Sequence, residues 1–147
     1  MEKPPEITFE QKEKEPGFRD VVLFTATLQK IDDDVSRARE IAARKFFDNT
    51  VRLGIRCVVT DGGSDESFIE YLKALNNIKV VHASGGTAGE QRRAALNVAL
   101  EYDDANYFLY VDPEKDDFIR RETLEPLVLQ LRENKTDIAV SRRRNKE

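Results

Sequence analysis

Short apolar runs recur along this chain at intervals filled by helix-length amphipathic stretches, and that rhythm restricts the fold more than any other feature. The runs are Val21-Val22-Leu23-Phe24-Thr25-Ala26, Ile55 to Thr60, Ile78-Lys79-Val80-Val81-His82 and Tyr107 to Val111. The first has the length and continuous hydrophobicity of a strand covered on both faces, and the others read as further strands. The first helix is predicted from the Asp32-Asp33-Asp34 cap to about Leu53, with Val35, Ala38, Ala42, Phe46 and Thr50 as its apolar stripe and Gly54 as its stop. A second is predicted over Glu66 to Leu75, with Phe68, Ile69, Leu72 and Leu75 inward, a third over Glu90 to Tyr102, and a last over Glu122 to Asn134. Asp137-Ile138-Ala139-Val140-Ser141 reads as a further strand. Strands alternating with such helices require right-handed crossovers, so the expected fold is α/β: an open, Rossmann-like, mainly parallel sheet of about five strands with helices on both faces.

Residues 1–17 break the rhythm. They are rich in Pro and charge and read as a flexible tail ahead of a domain over 18–147. With 147 residues the chain can bury a real core. Its 24 basic and 28 acidic residues leave a net charge of −4, which argues against a nucleic-acid binder that needs a basic excess on one face. No apolar stretch approaches the roughly 20 residues of a membrane helix, no secretory leader is visible, and Cys57 is alone, so a cytoplasmic setting is expected. Cys57, inside a strand, reads as a small core residue, and His82, the single histidine, as structural or exposed.

Ligands of open α/β sheets sit beyond the carboxyl ends of the strands, and two acidic motifs stand there. One is Thr60-Asp61-Gly62-Gly63-Ser64-Asp65; the other is Asp112-Pro113-Glu114, followed by Asp116 and Asp117. Carboxylates converging from a short bent segment suit a hard divalent cation. A dinucleotide site would want a Gly-rich turn after the first strand, where Thr25-Ala26-Thr27-Leu28-Gln29-Lys30 stands, and a P-loop would want a Gly-Lys-Ser/Thr run, which is absent. Plainer readings stay open: a tight turn with Asp65 capping a helix, solvated charges at Arg92 and Arg93, a polar loop over Asp112 to Asp117, and strand packing for Tyr107, Phe108 and Tyr110.

In order and spacing, the chain from Val21 to Arg144 resembles the nucleotide-sugar-binding half of the GT-A glycosyltransferases, the inverting family 2 type in particular. Asp61-Gly62-Gly63-Ser64-Asp65 is similar to that family's turn after its second strand, Gly89-Glu90-Gln91-Arg92-Arg93-Ala94-Ala95-Leu96-Asn97-Val98-Ala99 to its helix motif, and Asp112-Pro113-Glu114 to its metal motif. The likeness implies that Thr25 lies beside base and ribose, Asp61 anchors the nucleoside side, and Arg92 reaches base or diphosphate. It implies that Asp112 binds ribose or a metal-bound water and that Asp112 and Glu114 form the site for Mg²⁺ or Mn²⁺. Gly62 stands where the family commonly has an Asp against the base, Glu114 replaces the usual Asp, and Lys115 brings a cation to the same place.

The implied activity is transfer of a sugar from a nucleotide-diphospho-sugar to a hydroxyl acceptor, completed by an acceptor region. No candidate base lies after Asp137, so the chain reads as a truncated member with its catalytic residue unassigned. The alternative is a non-catalytic nucleotide-binding or protein-interaction module of the same fold. A homodimer is a further expectation.

Overall fold

The computed structural model describes residues 17–83 and 86–134. The elements are β1 (Val21–Thr27), α1 (Asp34–Arg52), β2 (Arg56–Asp61), α2 (Glu66–Ala74), β3 (Ile78–His82), α3 (Ala88–Ala99), β4 (Tyr107–Tyr110), a 3-10 turn (Asp116–Phe118) and α4 (Arg121–Asn134). All pairings are parallel, with Leu23 opposite both Cys57 and Leu109, and the strand order is β3-β2-β1-β4. The expected α/β class holds, with four strands among the described residues. The fifth expected strand, Asp137–Ser141, and all but Gly17 of the expected tail lie outside the described residues.

That order places the site. The chain winds from β1 outward through β2 to β3, then returns past β1 to lay β4 on its other side. The winding therefore reverses between β1 and β4, and a crevice opens beyond their carboxyl ends.

Period-two alternation divides the sheet between two cores. Val21, Leu23, Cys57, Val59 and Leu109 face α1, α2 and α4, where Phe46, Phe47, Phe68, Leu72, Leu124 and Val128 complete the larger core. Val22 and Val58 face α3, meeting Ala95 and Ala99. The small side chains on α3 let its backbone approach the sheet closely. The helices thus cover both faces.

The face of α1 differs from the expected stripe. Phe46 and Thr50 are buried as expected, but Val35 and Ala38 are exposed and Ala42 is half-buried, while Glu40, Ala43 and Phe47 are buried. The sequence offers two apolar registers side by side, Ala42/Ala43 and Phe46/Phe47. Burying both rings favours an intermediate rotation, and Phe46, Phe47 and Phe68 then form an edge-to-face chain with centroids 5.0 and 6.3 Å apart. Each buried ring contributes about 1.5–3 kcal/mol of transfer free energy, enough to outweigh Val35 and Ala38 turning to water.

The start of α1 follows the expected chemistry closely. Asp33 is the N-cap and accepts from Ser36 N at 2.7 Å, while Ser36 Oγ accepts from Asp33 N at 3.0 Å. At its other end Gly54 takes φ +70°, a left-handed turn that lets the chain drop directly into β2. Cys57 is fully buried, and burial pushes its thiol well above the ordinary range.

Candidate functional site

A cleft of about 290 Å³ opens where the winding reverses. One wall is the chain leaving β1, Ala26 to Gln29. A second is the start of α3, with Gly86, Ala88, Gln91 and Arg92. The third is the chain leaving β4, with Tyr110, Asp112, Pro113 and Glu114. Arg92, Asp112 and Glu114, drawn from two distant sequence motifs, therefore share one concavity.

The β1 wall is held by its neighbour. Gly62 N donates to Thr27 O (2.9 Å), Gln29 N to Ser64 Oγ (2.7 Å), Asp65 N to Gln29 O (2.9 Å), and Ile31 N to Asp65 Oδ2 (2.8 Å). Asp65 occupies the N-cap position of α2 without a side-chain cap bond, because its carboxylate reaches across to Ile31 instead.

Asp61 is the centre of this lacing. It is 2% exposed, and its carboxylate accepts four hydrogen bonds. Oδ1 takes Gly63 N (3.0 Å) and Ser64 N (2.8 Å); Oδ2 takes Thr27 Oγ1 (2.8 Å) and Ser64 Oγ (2.5 Å). Its acceptor capacity is used by its own loop and by β1, so Asp61 reaches the cleft wall through Thr27 and, by way of Ser64, through Gln29. Thr25 is fully buried as well, and its hydroxyl donates to Val111 O at 2.8 Å, fixing β1 against the segment that delivers Asp112. Among the residues of β1, Ala26 and Thr27 line the cleft and Thr25 does not.

Arg92 lies with its guanidinium carbon 4.7 Å from the centroid of the Tyr110 ring. Tyr110 in turn packs at 5.7 Å against Phe24. A planar guanidinium stacked on an aromatic face is held in place while its edges remain able to donate. Burial pushes the Tyr110 phenol above its ordinary range, with Arg92 opposing and the Asp112 charge adding. Gly86 and Ala88 bring the positive end of the α3 dipole to the same wall, with Thr87 capping by accepting from Glu90 N at 3.2 Å.

Across the cleft, Asp112 Oδ1 accepts from Glu114 N at 2.9 Å, a bend that brings both carboxylates to the rim. Glu114 Oε1 lies 3.7 Å from Arg39 Nε, an ion pair supplied by α1. Lys115, expected as the cation here, is exposed and lies outside the cleft lining; the cation that meets Glu114 is Arg39. Among the described residues no group of three or more His, Cys, Asp or Glu side chains gathers to hold a metal. The two rim carboxylates fit a divalent ion of the kind shared with substrate phosphates, which needs only one or two from the protein.

Thr27, Gln91 and Arg39 escaped the sequence reading, and Tyr110, read there as strand packing, lines the cleft beneath Arg92. Tyr110 could have been found from strand alternation, which turns it away from the core side holding Leu109 and Val111. Gln91 lies across Gly62: a Cβ added there would meet its Nε2 at 2.4 Å, so this glycine admits the amide. Arg39 carried no local signal.

The model of glycosyl transferase family 2 matches residues 40–147, most of the chain. The chain belongs to glycosyl transferase family 2. No curated protein and no solved structure matches it. Asp61, Arg92, Asp112 and Glu114 of this family 2 chain fall inside the matched residues, whereas β1, with Thr25, and Arg39 precede them. Among the described residues, no helix is long and apolar enough to cross a membrane.

Proposed function

We propose that the cleft binds a nucleotide-diphospho-sugar and that the chain supplies the donor half of a glycosyl transfer to a hydroxyl acceptor. The supporting observation is the union of Arg92, Asp112 and Glu114 at the switch point of a family 2 chain. Arg92, braced on Tyr110, pairs with the diphosphate as its charge grows during departure from the sugar. The amide dipoles at the start of α3 favour the same anion. Thr27, Leu28 and Gln29, continuous with Ala26, form the less charged end of the cleft and are assigned the nucleoside. Asp61 serves that end indirectly, by holding Thr27.

Asp112 and Glu114 would hold Mg²⁺ or Mn²⁺ jointly with the diphosphate. Such an ion, when bound, supplies Lewis-acid stabilisation to the leaving group. The transfer itself also needs a general base against the acceptor hydroxyl, and no residue is assigned that role.

Thermal-shift titration of the purified chain with UDP, GDP and their sugars, with and without Mn²⁺, tests the proposal. A ligand at about 100 times its Kd stabilises the chain by about 2.7 kcal/mol. The expected result is stabilisation by a nucleotide, enhanced by Mn²⁺, with the Mn²⁺ effect lost in Asp112→Ala and Glu114→Ala. Stabilisation by none of these nucleotides would overturn it and leave the reading of a protein-interaction module.

A further inference from the structure

We infer that Arg39 is a built-in competitor for the divalent ion at Glu114, so that the unliganded cleft resists taking up the ion alone. This inference rests on the donor-site reading above, and it concerns a residue that precedes the matched family segment. Its basis is geometric. Arg39 belongs to the exposed N-terminal turns of α1, one residue before burial of the helix begins at Glu40. From there its side chain reaches Glu114, which enters from beyond β4. At 3.7 Å the Nε–Oε1 contact is longer than a hydrogen bond and is held by charge alone. Both partners are open to solvent, Arg39 at 60% and Glu114 at 41%.

Two physical consequences follow. The pair is weak enough to open, since exposed ion pairs of this kind shift an equilibrium by at most about five-fold. It is nevertheless placed on one of the two rim carboxylates, so an incoming dication must displace the guanidinium and endure its repulsion. With Arg39 and Arg92 set against Asp112 and Glu114, the four named charges cancel, and an ion arriving alone finds little net attraction. A diphosphate adds the missing negative charge and also offers the displaced guanidinium a pair of oxygens to bind in bidentate fashion. Ion and nucleotide are thereby favoured together over the ion alone.

The test is Mn²⁺ titration followed by calorimetry, on the wild-type chain, Arg39→Gln, Glu114→Gln and the double variant, at low salt and without nucleotide. Arg39 is exposed, so Arg39→Gln is expected to leave the thermal midpoint unchanged. It should tighten Mn²⁺ binding by roughly three- to five-fold, and that gain should vanish when Glu114 is also replaced. Unchanged affinity in Arg39→Gln overturns the inference, as does a gain that persists without Glu114, or the absence of Mn²⁺ binding by Arg39→Gln. No nucleotide is used, so this result is independent of the donor titration: a chain that binds no nucleotide can still show Arg39 guarding Glu114, and the reverse.

Discussion

Replacing Asp61 by Ala separates two roles for this residue, ligand contact and keystone of the loops. The structure gives its carboxylate four internal donors and 2% exposure. Hydrogen bonds to a charged acceptor contribute about 1.5–3 kcal/mol each, so simple addition gives roughly 6–12 kcal/mol. That total is too large, because the bonds share one loop. The hydroxyls of Thr27 and Ser64 can turn to other acceptors, and exposed Gly63 lets water reach its N–H. A loss of about 3–4 kcal/mol remains, corresponding to a fall in Tm on the order of 10 °C for a domain of this size. Asp61→Asn keeps an acceptor for the two backbone N–H groups and turns its amide toward the hydroxyls, so its loss should be about 1–2 kcal/mol. Urea unfolding of the three chains, with an unchanged m-value, measures both. If Asp61→Ala unfolds within about 1 kcal/mol of wild type yet binds nucleotide poorly, the keystone argument is wrong and Asp61 is a direct contact.

Gly62→Ala pushes against the far end of the flexible Gln91 side chain, so its stability loss should stay below about 1 kcal/mol while Gln91 swings into the cleft and alters nucleotide affinity. Urea unfolding paired with the nucleotide titration reads both, and a larger stability loss with unchanged affinity would show that Gln91 does not yield. The Asp33 carboxyl is held below its ordinary 3.8 mainly by the backbone N–H of Ser36. A depressed carboxylate contributes fully above its unfolded value and loses that contribution as pH falls through the folded one. Asp33→Asn should therefore be less stable than wild type near neutrality, with the gap closing in acid. A gap independent of pH in unfolding titrations would contradict the assignment.

Much of the architecture was legible because backbone periodicity is a local property. The Asp33 cap and the Gly54 stop require only neighbours in sequence, and β3 spans the expected residues. The face of α1 was not legible, since Ala42/Ala43 and Phe46/Phe47 satisfy helical spacing in either register, and only packing against Phe68 decides between them. The same boundary runs through the site. Arg92, Asp112 and Glu114 were identified as residue types at strand ends and a helix start, and the cleft unites them. Thr25 and Asp61 share that address but turn their oxygen atoms inward, a direction chosen by hydrogen-bond partners rather than by motif.

By itself the sequence determined the order of strands and helices, the acidic and basic groups available at their ends, and the family to which they belong. Tertiary structure alone decided that β4 lies beside β1, which creates the crevice, and that Arg39 on α1 reaches Glu114. The reason is physical: a residue's type and its local backbone period travel with the chain, whereas the partner of a side chain exists only once remote segments have packed together.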